Sequence, residues 1–275
     1  MSVQNILDPD LIANFRRRAL AKAKGGEEFL LAHAVADMAE RISTVDRKFP
    51  KAALVAPVVE GGFDALKDDG KIGELAIIAS SDVLPLQPQS LDLVMSLLTL
   101  QEVNDAPGAL IQMKRALNPD GLMLAVMLGG DTLKELRFAL TQAESELYGG
   151  VSPRVLPFIE VRAAGALLQR TGYALPVTDT ETVLVRYDSV FGLMRDLRGM
   201  GGQNALHDRS RRPLGRRFFQ RLAQIYSENF SDADGRVRAS FNFVSMSGWA
   251  PHESQQKPLK PGSAKVSLAT FLENK

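Results

Sequence analysis

The sequence predicts a doubly wound α/β fold, in which a largely parallel, Rossmann-like sheet carries helices on both faces. Four short apolar runs have the length and continuous hydrophobicity of strands buried on both faces, namely residues 52–56, 75–79, 91–98 and 122–128. A helical pattern runs from Pro107 to the turn-forming residues 118–121 and separates the last two runs. Strand, helix and strand therefore follow in order, and ligands of such folds bind at the carboxyl ends of the strands.

Two helices are predicted before the first strand. Asp8 can cap a helix that has Pro9 at its first position, and the glycines at 25 and 26 end it. A second helix carries apolar residues at helical spacing up to Ile42 and ends before Pro50. His33 lies on this second pattern, where we expect it to pack or to face solvent.

Helices and strands also alternate in the second half of the chain. Thr132 and Glu135 have the spacing of a capping box at the start of a long helix that ends at residues 149–150. Further helices are predicted over residues 161–171 and after Asp188, which can serve as a cap, and strands over residues 182–187 and 241–249. We expect N-terminal helices at 1–48, an α/β core at 49–150, lid helices and closing strands of the same domain at 151–254, and a loosely held tail at 255–275.

Composition excludes several functional classes. The chain has 275 residues with 33 basic and 32 acidic side chains, so its charge does not call for nucleic acid or an anionic membrane. It has no cysteine, which excludes disulfides, thiolate metal sites and cysteine nucleophiles and suits a cytoplasmic location. We expect neither a signal peptide nor a spanning helix, because no apolar run reaches the roughly 20 residues that a bilayer requires.

Several segments together resemble one specific family. They are residues 92–100, 103–107, 118–121, 129–137, 185–187, 196–201, 252–255 and 262–264, and they include the motifs GGDTL-x-ELR and HESQ. The chain resembles the methyltransferase-fold family of the complex I assembly factor that acts as an arginine hydroxylase in mitochondria, with its bacterial relatives. This resemblance covers about residues 85–270. It implies a seven-stranded class I methyltransferase fold, S-adenosylmethionine as cofactor, and a subunit of a respiratory complex as protein substrate or partner.

The region that would hold the cofactor departs from the family's pattern. After the first strand the chain has Ala56-Pro57-Val58-Val59 instead of a glycine-rich turn. Residues 58–90 are too few for two further strands with their crossovers, so we expect the sheet to be one strand short and an acid that would bind the ribose to be lost with that strand. Ser80 stands where an adenine-binding Asp is expected, unless a different register lets Asp82 take one of these roles.

Candidate site residues come from both the altered and the preserved segments. Those assigned to cofactor binding are Ala56, Glu60, Gly61, Asp82, Leu100 and Gln101, the last two standing where the family tends to have Leu-His. The candidates for catalysis lie in the family-like segments: Asp131, Tyr187 and His252. Asp131 follows a predicted central strand, which is the usual position of a site in this fold. The three histidines are far apart and lack the spacing of metal ligands, so no metal is expected.

Two functional hypotheses follow. The first is an enzyme, a protein hydroxylase or methyltransferase that uses S-adenosylmethionine through an unusual pocket. The second is a non-catalytic relative, a pseudoenzyme that serves as chaperone or scaffold in a hetero-oligomer. Because the departures concentrate at the cofactor end, the sequence favours weakened or lost cofactor binding with retained protein recognition. A third possibility is that the apolar residues after the first strand admit another small molecule.

A basic stretch in the second half has two interpretations. Six arginines lie within thirteen positions: Arg209, Arg211, Arg212, Arg216, Arg217 and Arg221. They form either a solvated helix face or a docking surface for an acidic partner.

Overall fold

A six-stranded sheet forms the centre of the computed structural model, which describes residues 5–21, 29–57 and 62–256. Its strands are β1 (Phe49–Ala56), β2 (Ile72–Ala79), β3 (Leu91–Leu97), β4 (Leu117–Leu128), β5 (Ala174–Tyr187) and β6 (Val237–Trp249). The order across the sheet is β2-β1-β3-β4-β6-β5. The first four strands are parallel, whereas β6 is antiparallel to both its neighbours. The predicted α/β class is confirmed, and so is the predicted loss of one strand, since the sheet of the described residues has six strands instead of the seven that the resemblance implies.

Helices cover both faces of this sheet. In the described residues they are α1 (Pro9–Leu20), α2 (Phe29–Thr44), α3 (Ala106–Ala116), α4 (Lys134–Tyr148), α5 (Val161–Arg170), α6 (Val190–Gly199) and α7 (Arg216–Phe230). Side chains of α2, α4, α6 and α7 pack on one face and those of α3 and α5 on the other. Strand residues alternate between the two cores, as Leu54 and Val55 do in β1, because successive side chains point to opposite faces.

The predicted signals at the ends of three helices are confirmed. The Asp8 carboxylate accepts a hydrogen bond from the Leu11 amide at 3.0 Å, and Pro9 is the first residue of α1. Gly149 and Gly172 follow α4 and α5 with φ angles of 69° and 76°, where a side chain would be strained. The glycines predicted to end α1, at 25 and 26, lie outside the described residues, as does most of the predicted tail.

The predicted capping box at α4 is wrong. Leu133 precedes the helix with a φ of 55°, and no side chain caps its first amides. The Thr132 hydroxyl instead donates to the Asn242 carbonyl at 3.1 Å and accepts from the Asn242 amide at 3.0 Å. Glu135 is buried and accepts from the Ser240 amide and hydroxyl. Both side chains bind the backbone of β6, because the αL residue between strand and helix turns them toward the sheet.

Three further local predictions are corrected. Residues 118–121 do not separate helix from strand but form an irregularity within β4, which begins directly after α3 and has its positive φ at Asp120. The residue before α6 is Ser189 and not Asp188, whose carboxylate is exposed and lies 3.2 Å from Arg236. β5 and β6 also begin earlier than predicted, at Ala174 and Val237, because they pair with each other along nearly their whole length.

β2 differs most from the prediction of a strand buried on both faces. Among the described strands it pairs with β1 alone, and it forms one edge of the described sheet. Most of its side chains are exposed, including Ile77, which keeps 54% of its surface. Its apolar composition is that of an interior strand, whereas the shortened sheet places it at an edge.

Candidate functional site

A cavity of about 200 Å³ lies at the carboxyl ends of β1, β3 and β4, where sites of this fold are expected. Pro57, Leu98 and Leu128 mark the three strand ends at its base. α1 and the start of α4 close its sides, and the end of α6 contributes Leu197 and Gly199. Leucines make up much of its wall, so the cavity is largely apolar.

One ion pair lies in this cavity. The Arg16 guanidinium on α1 bonds the Glu102 carboxylate, which follows β3, and about a fifth of each side chain remains exposed. Desolvation raises the pKa of Glu102, and the Arg16 charge opposes that rise. Glu102 is the one carboxylate that lines the cavity in the described part of the chain, and its partner already neutralises it.

Contacts around the N-terminal end of α1 hold Arg16 in position. The Asn104 side chain accepts from the Leu7 amide at 2.9 Å and donates to the Leu7 carbonyl at 3.1 Å. The Asp8 amide donates to the Ala205 carbonyl at 2.9 Å. Gly201 lies against the Arg16 backbone, where an added Cβ would approach within 3.2 Å. α1 is therefore anchored both to the segment after β3 and to the segment after α6.

Gln101 separates this cavity from a second one of about 160 Å³. Both cavities share Gln101, Leu156 and Phe158 in their walls. The Gln101 amide nitrogen donates to the Leu98 carbonyl at 2.8 Å, which directs its oxygen away from the backbone. That oxygen is buried and has no hydrogen-bond partner among the described residues.

A second buried ion pair borders the cavity. Arg154 donates to the Glu144 carboxylate at 2.5 Å, and Ser152 adds bonds from its amide and hydroxyl. Burial favours the neutral acid, but these hydrogen bonds outweigh it and hold the pKa of Glu144 below its ordinary value. The Arg154 Nε is buried without an acceptor in the described residues.

The residues predicted to bind a cofactor are only partly brought together. Gln101 lines both cavities and Leu100 lines the second, whereas Ala56 is buried at the end of β1, immediately before Pro57. Asp82 is exposed, and its carbonyl accepts from the Gln112 side chain at 2.9 Å. Glu60 and Gly61 lie outside the described residues.

The three residues predicted to be catalytic do not meet. Asp131 is at the cavity end of β4, but its side chain is exposed and lies 3.7 Å from Lys134 Nζ. Tyr187 ends β5 and is buried, and this burial raises the pKa of its phenol, with Asp196 acting in the same direction. His252 follows β6 at the opposite end of the sheet, where its Nδ1 lies 2.7 Å from the Ser254 hydroxyl.

Described residues around the cavity do not fit the contacts that S-adenosylmethionine needs. A ribose-binding acid is expected after the strand on the outer side of β1. In the structure that strand is β2, which is followed by Ser80, Ser81 and Asp82. The Asp82 side chain is exposed and does not line the cavity. Glu102 follows β3, on the other side of β1, and is bound by Arg16. No described carboxylate is therefore placed to accept both ribose hydroxyls.

The charged residues of this cavity were not among the site residues predicted from the sequence. Arg16 is one of three consecutive arginines in α1, and spacing does not show which of them turns inward. Residues 100–102 differ from the family's pattern, and Gln101 was assigned to the site for that reason, whereas Glu102 was not. An acid that follows a buried strand is nevertheless a signal for a functional site. Arg154 lies in a loop without a motif.

The basic stretch is divided between paired and exposed arginines. Arg221 bonds Glu146 at 2.6 Å and Arg209 lies 3.7 Å from Asp8, while the Arg212 guanidinium stands 4.8 Å from the centre of the Tyr148 ring. Four exposed side chains have no carboxylate partner within the described ranges: Arg211, Arg212, Arg216 and Arg217.

His33 was expected to pack or to face solvent, and it does both. Its ring lies 4.7 Å from the ring of Phe243, and its Nε2 lies 3.0 Å from the Glu181 carboxylate.

The described residues contain neither a cluster of three or more His, Asp or Glu side chains that could hold a metal ion nor a helix long and apolar enough to cross a membrane.

Comparisons with known proteins agree with the sequence resemblance. A family model described as a methyltransferase domain matches residues 62–125. The mitochondrial arginine hydroxylase NDUFAF5 of Danio rerio is 42% identical over 193 residues, which are 70% of this chain and 60% of that protein. The human protein of the same name is 41% identical over 207 residues, or 74% of this chain and 60% of that protein. This chain thus spans about 60% of the length of these two relatives.

A second group of relatives and one solved structure extend this likeness. The malonyl-[acyl-carrier protein] O-methyltransferase of Xylella fastidiosa is 32% identical over 211 residues, which are 74% of this chain and 68% of that protein. The crystal structure of a proposed methyltransferase from Bacillus halodurans aligns with a TM-score of 0.51 at 11% identity, over 79% of this chain and 99% of the other. At that identity the structural likeness concerns the fold alone.

Proposed function

Since this chain belongs to the class I S-adenosylmethionine-dependent methyltransferase-fold family, we propose that it keeps the protein-directed role of its arginine-hydroxylase relatives while binding the cofactor weakly or not at all. The partner is then an arginine-bearing subunit of a respiratory complex. Identities above 40% to the arginine hydroxylases support the choice of partner. The loss of cofactor affinity is supported by one observation above all, the neutralisation of the cavity's single described carboxylate by Arg16.

Energetics support the same proposal. A charge-assisted hydrogen bond contributes about 1.5 to 3 kcal/mol, and a ribose acid makes two such bonds. Losing both removes about 3 to 6 kcal/mol, which would weaken a dissociation constant of about 1 μM to between about 0.15 and 25 mM.

Calorimetric titration of the full chain with S-adenosylmethionine and S-adenosylhomocysteine tests this loss. We expect no heat of binding that corresponds to a dissociation constant tighter than about 0.1 mM. A micromolar constant for either ligand would overturn the proposal. The same titration of the Arg16→Leu variant shows whether the Arg16–Glu102 ion pair itself keeps the ligand out of the cavity.

A second candidate function, a non-catalytic scaffold within a hetero-oligomer, is favoured by the separation of Asp131, Tyr187 and His252. If the chain is such a pseudoenzyme, the triple variant Asp131→Asn, Tyr187→Phe, His252→Gln should capture the same respiratory subunit from cell extracts as the unchanged chain, identified by mass spectrometry. Hydroxylation or methylation of that subunit by the unchanged chain, lost in the triple variant, would favour the enzyme instead.

A further inference from the structure

β2 presents an edge that lacks the usual protection against pairing. In the described sheet its only partner strand is β1. Natural edge strands are commonly protected by proline, by bulges or by several charges. Residues 72–79 contain no proline and a single charged side chain, Glu74, and their register with β1 is unbroken. Glu74 also lies beside Lys51 of β1, which carries the opposite charge, so this edge is open to another strand.

The other edge of the described sheet has the protection that β2 lacks. β5 contains Pro176, and its register with β6 is broken between Ala174 and Val177. Three charged side chains follow further along the same strand. β2 and not β5 therefore has the features of a strand that pairs with another chain.

The apolar core on the α2 face continues to this edge and is left uncovered there. Leu54 of β1 is fully buried, whereas Ile77, which lies beside it in β2, keeps 54% of its surface. Leu75 points to the same face and is partly buried against the same core. An exposed apolar extension of a core is typical of a surface that another protein covers.

The residues of β2 are complementary to a second copy of the same strand. A two-fold axis perpendicular to the sheet makes the two copies antiparallel. With that axis at Ala76, Ile77 of each copy lies opposite Leu75 of the other, and all four side chains point to the same face. Glu74 of each copy then lies opposite Ile78, so the two carboxylates do not face each other.

From these observations we propose that the chain forms a homodimer in which β2 pairs with β2 of a second copy, antiparallel and centred on Ala76. The pairing joins the six-stranded sheets of the two copies into one. Because the axis reverses the strand direction, the cavities at the carboxyl ends of the strands lie at opposite ends of the joined sheet and do not block each other. This dimer is separate from the proposed function and does not depend on it.

Sedimentation equilibrium of the full chain tests the dimer. We expect a mass of twice the 30.0 kDa of one chain. Ile77→Lys should raise the dissociation constant about hundredfold, because each dimer then has two ammonium groups against apolar side chains. Leu184→Lys is the matched control and should remain a dimer, since Leu184 is 51% exposed on β5, the other edge strand.

Two results of this experiment would overturn the proposal. One is a monomeric full chain at high concentration, which would favour coverage of the edge by another protein or by a segment outside the described residues. The other is a dimer that Ile77→Lys leaves as tight as before.

Single cysteines test the register, because the chain has no cysteine of its own. Residue 76 of one copy should lie directly opposite residue 76 of the other, with Cα atoms about 4.5 to 5.5 Å apart, a distance that a disulfide can bridge. Ala76→Cys should therefore link two copies on mild oxidation, which a non-reducing gel shows as a doubled mass.

Ala79→Cys is the control for this cross-link. Ala79 is also exposed, but in the proposed register it lies opposite Gly73, so the two cysteines would be about 20 Å apart and should not link. A link through residue 79, or none through residue 76, would overturn the proposed pairing whether or not Ile77→Lys folds.

Discussion

Two buried polar side chains at the start of α4 determine how that helix sits on the sheet. Thr132 and Glu135 bond the backbone of β6 at Asn242 and Ser240, more than one hundred residues further along the chain. Buried hydrogen bonds of this kind are costly to lose, because the groups left behind have no water to bind. We therefore expect them to contribute to stability rather than to chemistry.

Replacing Thr132 by Val tests this. The substitution keeps the shape but leaves the Asn242 amide without its acceptor, so we expect the free energy of unfolding to fall by about 1 to 3 kcal/mol. Urea denaturation measures it, and Thr44→Val is the control because the Thr44 hydroxyl is exposed at the end of α2. Similar losses for the two variants would contradict the assigned role.

Replacing Arg16 by Met leaves the Glu102 carboxylate desolvated and without a counter-charge. Breaking a buried pair costs about 3 kcal/mol, somewhat less here because a fifth of each side chain is exposed. Because the pKa of Glu102 is raised in the folded state, folding favours the protonated form of this carboxyl group. The resulting contribution to stability is present at low pH and is lost as the pH rises through the folded-state pKa. We expect the variant to lose more stability at pH 8 than at pH 5.

Denaturation of Arg16→Met at both pH values measures this difference. The double variant Arg16→Met, Glu102→Leu removes both charges and should regain most of the stability at either pH, since an ion pair and an apolar pair of similar volume are often equivalent. A loss that is independent of pH would argue that Glu102 is not the group responsible.

At the scale of elements, β2 depends on a close approach to β1. A Cβ placed on Gly73 would lie 2.6 Å from the Pro50 carbonyl oxygen. We expect Gly73→Ala to destabilise the protein by about 1 to 3 kcal/mol, because the two strands must separate to admit the methyl group. Thermal unfolding measures this, with Gly150→Ala as the control, since a Cβ there has no heavy atom within 4 Å. Equal melting temperatures for the two variants would show that the close contact between β1 and β2 at Gly73 does not control stability.

Elements with a local signature were predictable. β3 and β4 have continuous apolar runs, and α1 carries its Asp8-Pro9 start, so their positions follow from nearby residues alone. The exposure of β2 was not predictable from its own residues, because they form the continuous apolar run of an interior strand. Most of β5 was missed because Pro176 and several acidic and hydroxyl side chains interrupt its apolar pattern, and its pairing with β6 compensates for them.

The same limit applies to the candidate site. Its place at the strand ends was predictable from the fold, and Gln101 was singled out because it departs from a motif. The partnership of Arg16 with Glu102 joins residues 86 positions apart and depends on how α1 crosses the sheet. Sequence spacing predicts contacts only between residues that are close along the chain. It therefore could not predict that the Glu102 carboxylate is paired with Arg16 in the cavity.

For the molecule as a whole, the exposed arginines around the start of α7 form the clearest candidate docking surface. Neutralising Arg211, Arg212, Arg216 and Arg217 to glutamine should leave the melting temperature nearly unchanged, because exposed charges contribute little to stability. Binding of an acidic partner should weaken and become less sensitive to salt. Co-precipitation of the partner at two salt concentrations measures this, and a large fall in melting temperature would assign the arginines to the fold instead.

The order of the strands has a consequence for synthesis of the protein. β6 is the last strand among the described residues, yet it lies between β4 and β5 and is the only described strand that pairs with β5. Until residues 237–249 have left the ribosome, β4 presents an unpaired edge and β5 has no strand beside it. Such edges are prone to pair with other chains, so the risk of aggregation is greatest before β6 has been synthesised.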